Sequence, residues 1–225
     1  MKYNLENINA RFGIGSQKWQ EMKNNPLVDE KVIPFSVADM EFRLAPEITE
    51  GLKKFIDDNI LGYAGTNKKY RESVCKWQQK HHDFTVDEKW LVETHSVVNA
   101  FFTAVKAFTQ KGDGVMLFTP VYYPMYKAIE INQRKLVEIP LINNGMTYDI
   151  DWDLFTKKAK AIDTKMLILC SPHNPCGRIW TREELTKISE ICLANDILVV
   201  ADEIHADLIM PGFKHVSYGT ISKEA

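Results

Sequence analysis

No apolar run in these 225 residues approaches the ~20 residues that a membrane-spanning helix needs. The start, Met1-Lys2-Tyr3-Asn4-Leu5-Glu6, has no apolar signal core, so a cytoplasmic protein is expected. Excess charge of either sign is lacking too: 28 Lys and Arg against 30 Asp and Glu leave a net charge of −2. With no basic stripe and no positive field, nucleic acid and anionic lipid surfaces are excluded as expected partners. Cysteine is sparse. The four thiols, Cys75, Cys170, Cys176 and Cys192, lack paired CxxC spacing and read as reduced rather than as a disulfide framework. There is no internal repeat and no low-complexity segment.

What is present is the composition of a globular protein, 45% hydrophobic and 26% charged, enough for one large domain or one and a fraction. Residues 1–45 are mixed in pattern and punctuated by Asn25-Pro26, Ile33-Pro34 and Ala45-Pro46, so they are read as an irregular arm; Ile33–Ala38 could be a short strand. Residues 46–225 form the main domain. Helical spacing covers Pro46–Asn59, Lys68–His81 and Val97–Thr109. From there strands at 115–119, 135–140, 165–170 and 197–202 alternate with helices near 124–132, 151–161 and 181–195. Thr181 and Glu184 have the spacing of a capping box at the start of the last helix. Such alternation predicts an α/β fold with a mostly parallel sheet covered on both faces. Gly212–Ala225 reads as a loop leading onward, and a complete α/β domain would ordinarily continue.

Three predicted strand ends carry polar chemistry: Asp202-Glu203-Ile204-His205, Ser171-Pro172-His173-Asn174-Pro175-Cys176-Gly177-Arg178, and Thr119-Pro120-Val121-Tyr122-Tyr123-Pro124. Open α/β sheets bind ligands at the carboxyl ends of their strands. Pyridoxal 5'-phosphate (PLP) would need a carboxylate for its ring nitrogen, donors for its phenolic oxygen, N–H groups at a helix start for its phosphate, and a lysine. Asp202 suits the first task and Asn174 with His205 the second; the N–H groups of Val97 and Val98, after Thr94-His95-Ser96, suit the third, and Tyr122 could stack on a ring. Each residue also has a plainer reading. Asp202 could cap a turn, Asn174 form one, His205 be structural, Tyr122 and Tyr123 be core aromatics, and Tyr63 a turn aromatic. The triple spacing of Cys170, His173 and Cys176, with Asp202 and His205 nearby, raises a metal site. Prolines at 172 and 175, a strand position for Cys170 and the lack of a fourth ligand at a familiar interval weigh against it.

Taken together, Gly62-Tyr63, Ser96-Val97-Val98-Asn99-Ala100, Pro120–Pro124, Pro172–Arg178 and Asp202–His205 resemble the class I/II aminotransferase superfamily, PLP fold type I. Val37-Ala38-Asp39-Met40-Glu41-Phe42 makes the chain most similar to that superfamily's cystathionine β-lyase branch, the MalY/PatB type. The resemblance implies a three-layer αβα large domain, an N-terminal arm belonging to a small domain, and a carbon–sulfur β-lyase that releases thiol, pyruvate and ammonia from cystathionine or cysteine-like thioethers. It implies Asp202 at the pyridine nitrogen, Asn174 and His205 near the phenolic oxygen, and Tyr122 stacked on the ring. The phosphate would be taken at Ser96, Val97 and Val98, joined by Tyr63 from the partner of a homodimer. The substrate would meet Ala38 main chain, Tyr122 and Asn174. An aminotransferase is the near alternative; a non-catalytic fragment or dimerisation partner is the alternative of another class. Two positions depart from the family's pattern. Ser96 stands where relatives usually carry glycine. The Schiff-base lysine, expected ~30 residues beyond the aspartate, is not found, since neither Lys214 nor Lys223 has its surroundings. The chain as given is therefore expected to be inactive.

Overall fold

The computed structural model describes residues 3–7, 9, 11–23, 25–28 and 32–224. They divide into two compact units, one through Gly65 and one from Thr66 onward.

The first unit holds α1 (Gln17–Lys23) and α2 (Pro46–Asp58). The predicted strand at 33–38 is absent: Val37 has φ +64°, a left-handed conformation that a strand cannot contain, and Asp39 N–H turns back to Val37 O at 2.8 Å. A helix at 17–23 was not expected. It is too short to show helical periodicity, yet it buries Trp19 and Lys18. The sequence assigned α2 to the main domain; the division at Gly65 places it in the first unit. Proline opens α2 at a position where a missing N–H costs nothing.

The second unit runs α3 (Lys68–His82), α4 (Val97–Phe108), β1 (Gly114–Thr119), α5 (Tyr123–Ile131) and β2 (Lys135–Pro140). After β3 (Ile142–Asn143) and β4 (Tyr148–Asp149) come α6 (Trp152–Ala159), β5 (Thr164–Cys170), α7 (Arg182–Ala194) and β6 (Leu198–Asp202). The main sheet has the order β2-β1-β5-β6 with every pair parallel. The period-2 alternation of strands sorts the core into two layers. Val115, Leu117, Met166, Ile168 and Cys170 pack with Phe101 and Val105 of α4 and Met125 and Ile129 of α5. Met116, Phe118, Leu167 and Leu169 pack on the other face with Phe155 of α6 and Leu185 and Ile188 of α7. That is the three-layer αβα arrangement expected. The capping box at Thr181 and Glu184 is formed, both reciprocal bonds present.

The antiparallel β3–β4 pair escaped the sequence reading, although Asn144-Gly145 is a hairpin signal and Gly145 takes φ +87°. Gly212–Glu224 is more ordered than a plain loop. Ser217 and Tyr218 are buried, and Tyr218–Thr220 forms a 3-10 turn.

Candidate active site

The carboxyl ends of β1, β5 and β6 bring the three polar loops to one rim of the sheet. Cys170 and Asp202 are register partners at the end of the β5–β6 pair, and Ser171 N–H donates to Asp202 O at 2.9 Å. Val200 belongs to the core layer under α4 and α5, so Asp202, two residues on, presents its side chain to the same face. Val97, Val98 and Tyr122 pack on that layer too. The structure thus brings Asp202 to the helix start at Val97 and to Tyr122.

Asp202 is 5% exposed. Its Oδ1 accepts from Ile204 N–H at 3.2 Å, and it forms no ion pair among the described residues. Burial pushes its carboxyl above the ordinary range, against the opposing pull of that hydrogen bond and of nearby His205. The phenol of Tyr122 is raised by burial and by the charges of Tyr123 and Asp202, which places it in the field of the aspartate. Glu203, quoted in the sequence only as part of the motif, does definite work. Its carboxylate accepts from Ser217 Oγ at 2.5 Å and Tyr218 N–H at 2.6 Å, fastening the chain that follows Asp202.

Asn174 and His205 share a cavity of about 290 Å³ with Pro172, Ile179, Leu208 and Met210. Asn174 N–H donates to Cys170 Sγ at 3.3 Å, which ties the amide to the strand end beside Asp202. The loops after β1 and β5 are joined at one acceptor: Pro120 O receives His173 Nε2 at 2.8 Å and Cys176 Sγ–H at 3.8 Å. This is what the Cys170, His173 and Cys176 spacing serves. Burial pushes the Cys170 thiol up to about 12 and lowers the His173 imidazole, so one is an un-ionised thiol and the other a neutral ring engaged with a carbonyl. Among the described residues no group of three or more His, Cys, Asp or Glu could hold a metal ion.

Ser96 caps α4. Its Oγ accepts from Asn99 N–H at 3.1 Å and donates to Asn99 Oδ1 at 2.9 Å. Its φ of −164° is extended backbone that any residue adopts, so serine stands here without strain. The first N–H groups of α4, those of Val97 and Val98, have no partner within the helix and carry the positive end of its dipole. Ala38 and Tyr63 belong to the first unit, where both are exposed.

These features fit PLP on the donor set alone: a buried carboxylate lacking a cation, an amide and an imidazole sharing one cavity, an aromatic at a helix start, and a capped helix with free N–H groups. Residues 30–224 match the description Aminotransferase class I and II. The chain belongs to the class I and II aminotransferase family. Among curated members of that family, it is 38% identical to cystathionine beta-lyase PatB of Bacillus subtilis and 28% identical to the protein MalY of Escherichia coli, each over 98% of the chain. The chain spans 57% of the length of both. Cystalysin from Treponema denticola, whose crystal structure contains a pyridoxal 5'-phosphate cofactor, superposes with a TM-score of 0.96 at 44% identity, over 100% of this chain and 57% of that one. The PLP-bound C-S lyase from Staphylococcus hominis gives 0.90 at 30% identity, over 98% of this chain and 56% of that one.

Proposed function

We propose that the chain is the cofactor-binding part of a PLP-dependent carbon–sulfur β-lyase acting on cystathionine or a cysteine-like thioether. The observation that carries the reading is Asp202, a buried carboxylate with no cationic partner among the described residues, on the rim where Tyr122 and the start of α4 meet. When bound, PLP supplies an electron sink that eases loss of the Cα proton and of a thiolate from Cβ. The chain's own residues do the holding. Asp202 keeps a proton on the ring nitrogen through a charge-assisted hydrogen bond in a low-dielectric cleft. Asn174 and His205 supply donors to the phenolic oxygen, and Tyr122 covers the ring. The N–H groups of Val97 and Val98, with the Ser96 cap, take the phosphate at the positive end of α4. Tyr122 and Asn174 meet the substrate. The lysine that moves the proton is not assigned to any residue of this chain.

We further infer a homodimer in the cytoplasm. Helix α2 buries none of its residues, although Ile48, Leu52, Phe55 and Ile56 line one face, and each is more than half exposed. Such a stripe calls for a covering surface. A second copy suits it, because Tyr63, just beyond this helix and fully exposed, is the residue expected to reach a neighbouring subunit's phosphate. All four cysteines are free, as a reducing compartment requires.

Titration of the chain with PLP and with pyridoxamine 5'-phosphate tests the cofactor site; saturable binding that Asp202→Ala weakens is expected, and no binding would sink the reading. For the enzyme completed by a lysine-bearing segment, pyruvate release from cystathionine without a keto acid is expected. Strict dependence on a keto acid would instead make it an aminotransferase. Binding of PLP without turnover by any completed form would leave the fragment or dimerisation-partner reading.

A further inference from the structure

The chain between β6 and Tyr218 is a closed loop that the proposed chemistry does not explain. Residues 203–217 hold no helix or strand, yet their ends meet: Glu203 accepts from Ser217 Oγ at 2.5 Å and from Tyr218 N–H at 2.6 Å. Compact loops closed in this way frequently carry function. Inside it, Ala206 N–H donates to Glu203 O and Leu208 N–H to His205 O, both at 2.9 Å, and Phe213 N–H to Met210 O at 3.2 Å. The loop buries little of its apolar surface, since Leu208, Met210 and Phe213 are 76%, 72% and 68% exposed.

Its grip on the rest of the second unit is polar and falls on α3. Asp207 accepts from Trp77 Nε1–H at 3.1 Å and lies 2.8 Å from His82 Nε2. Lys214 Nζ reaches the carboxylate of Asp83, the residue that ends α3, at 2.8 Å. Asp207, Lys214 and Asp83 are exposed, and exposed pairs add little stability. Against that grip, the closed form holds a polar group without compensation. His215 is 4% exposed, and neither ring nitrogen forms a hydrogen bond among the described residues, although Glu203 Oε2 stands 3.4 Å from Nε2 and the His82 ring meets it edge-on, centroids 5.7 Å apart. A buried imidazole left unpaired costs free energy that water returns on opening. Exposed anchors, few apolar contacts and an unmet polar group put the loop at the low end of local stability.

The loop is also a wall. His205, Leu208, Ile209 and Met210 line the cavity of about 290 Å³ to which the loop after β5 contributes Asn174 and Ile179. We propose that residues 203–218 are a lid on this cavity, hinged where Glu203 meets Tyr218 and latched to α3 by Asp207. Opening carries His205 away from Asn174 and wets His215. Under the proposed function the lid decides when a ligand enters, but it is a property of the fold and is tested without a cofactor.

Amide hydrogen exchange of the full chain reads the opening. In the parent, Ala206, Leu208 and Phe213 exchange faster than Tyr218 and the residues of β6. Asp207→Ala raises exchange at the three loop amides about tenfold, the scale of a hydrogen bond to a charged group, and leaves Tyr218 and β6 within about twofold. Access is read with Ile179→Cys, a lining position whose tryptic peptide, bounded by Arg178 and Arg182, excludes the native Cys176. Its alkylation by iodoacetamide becomes about tenfold faster when Asp207→Ala is added. Should Asp207→Ala not fold, Lys214→Ala breaks the second latch at an exposed pair and is expected to raise both rates about twofold. Exchange that rises equally in β6 would make the loop part of the unit's common structure, and unchanged alkylation of Ile179→Cys would show that the loop covers nothing. Either result overturns the proposal.

Discussion

Cys170 and Asp202 face each other as the last register pair of the parallel β5–β6 ladder, and through them the rim of the sheet is assembled. The thiol of Cys170 receives Asn174 N–H, its main-chain carbonyl receives Trp180 Nε1–H at 2.9 Å, and Asp202 O receives Ser171 N–H. A small, buried, un-ionised thiol at this point orders the loop that carries Asn174 while adding no charge beside the aspartate. Cys170→Ser is expected to fold but to loosen that loop, because a shorter C–O bond cannot reach the 3.3 Å amide contact that sulfur makes. Backbone amide exchange at Asn174 would rise while exchange within β5 stays slow; equal exchange at Asn174 would remove this role.

Asp202 is buried at a cost to the protein. Burial raises its carboxyl, so folding favours the protonated form: its contribution is fully present below the ordinary value of 3.8 and is lost as pH rises through the raised one. In its charged, unpaired form the buried group opposes folding. Asp202→Asn should therefore raise the melting temperature of the cofactor-free chain by about 2–4 °C, the shift that 1 kcal/mol gives a domain of this size. The same change should weaken pyridoxamine 5'-phosphate binding by about tenfold or more, as loss of a charge-assisted hydrogen bond implies. Differential scanning calorimetry and fluorescence titration read the two effects, and a variant that loses on both counts would contradict the account.

The geometry of Ser96 explains why serine is harmless where the family resemblance led to the expectation of glycine. Its backbone is extended and its side chain caps α4. Ser96→Ala should cost about 1 kcal/mol of stability in urea denaturation, and Ser96→Gly only a few tenths. A larger loss in the glycine variant would mean that the hydroxyl does more than cap.

The order of helices and strands in the second unit was legible because the period of the apolar residues changes cleanly between 3.6 and 2, with Lys111-Gly112-Asp113-Gly114 and the Thr181 cap as punctuation. Asp202, Asn174, Tyr122 and Val97 could be named because each follows or opens a regular element, where position along the chain fixes position in the fold. The first unit was less readable. Its helix α1 has only seven residues, and the turn at Val37 depends on ion pairs between residues some twenty to thirty apart, a long-range cause that local pattern cannot show. His173 and Cys176 were read as ligand candidates because spacing reveals residue type but not the carbonyl of Pro120 that both of them reach.

Neither lysine late in the chain is placed for covalent chemistry with an aldehyde cofactor. Lys214 is exposed and pairs with Asp83 at 2.8 Å, and Lys223 is exposed outside any regular element. Borohydride reduction of the PLP-loaded chain, followed by peptide mass spectrometry, should give only scattered labelling below one equivalent across surface lysines. Stoichiometric modification at Lys214 or Lys223 would identify a Schiff-base lysine within the chain.

The cluster around Glu41 sets a pH limit on the first unit. Hydrogen bonds from Arg11 above all, then from Lys18 and Trp19, outweigh the cost of burial and lower its carboxyl from 4.5 to about 2. A depressed carboxyl gives stability that is complete above its unfolded value and disappears as pH falls through the folded one. The first unit should therefore begin to loosen below pH 4.5 and lose the cluster near pH 2. Trp19, buried against Phe12 with ring centroids 4.5 Å apart and bonded to Glu41, reports that loss through its fluorescence. Glu41→Gln should remove most of the acid dependence between those limits while lowering stability at neutral pH, since Arg11 and Lys18 then lie beside an uncharged amide. Acid dependence that survives intact in Glu41→Gln would place the titrating group elsewhere.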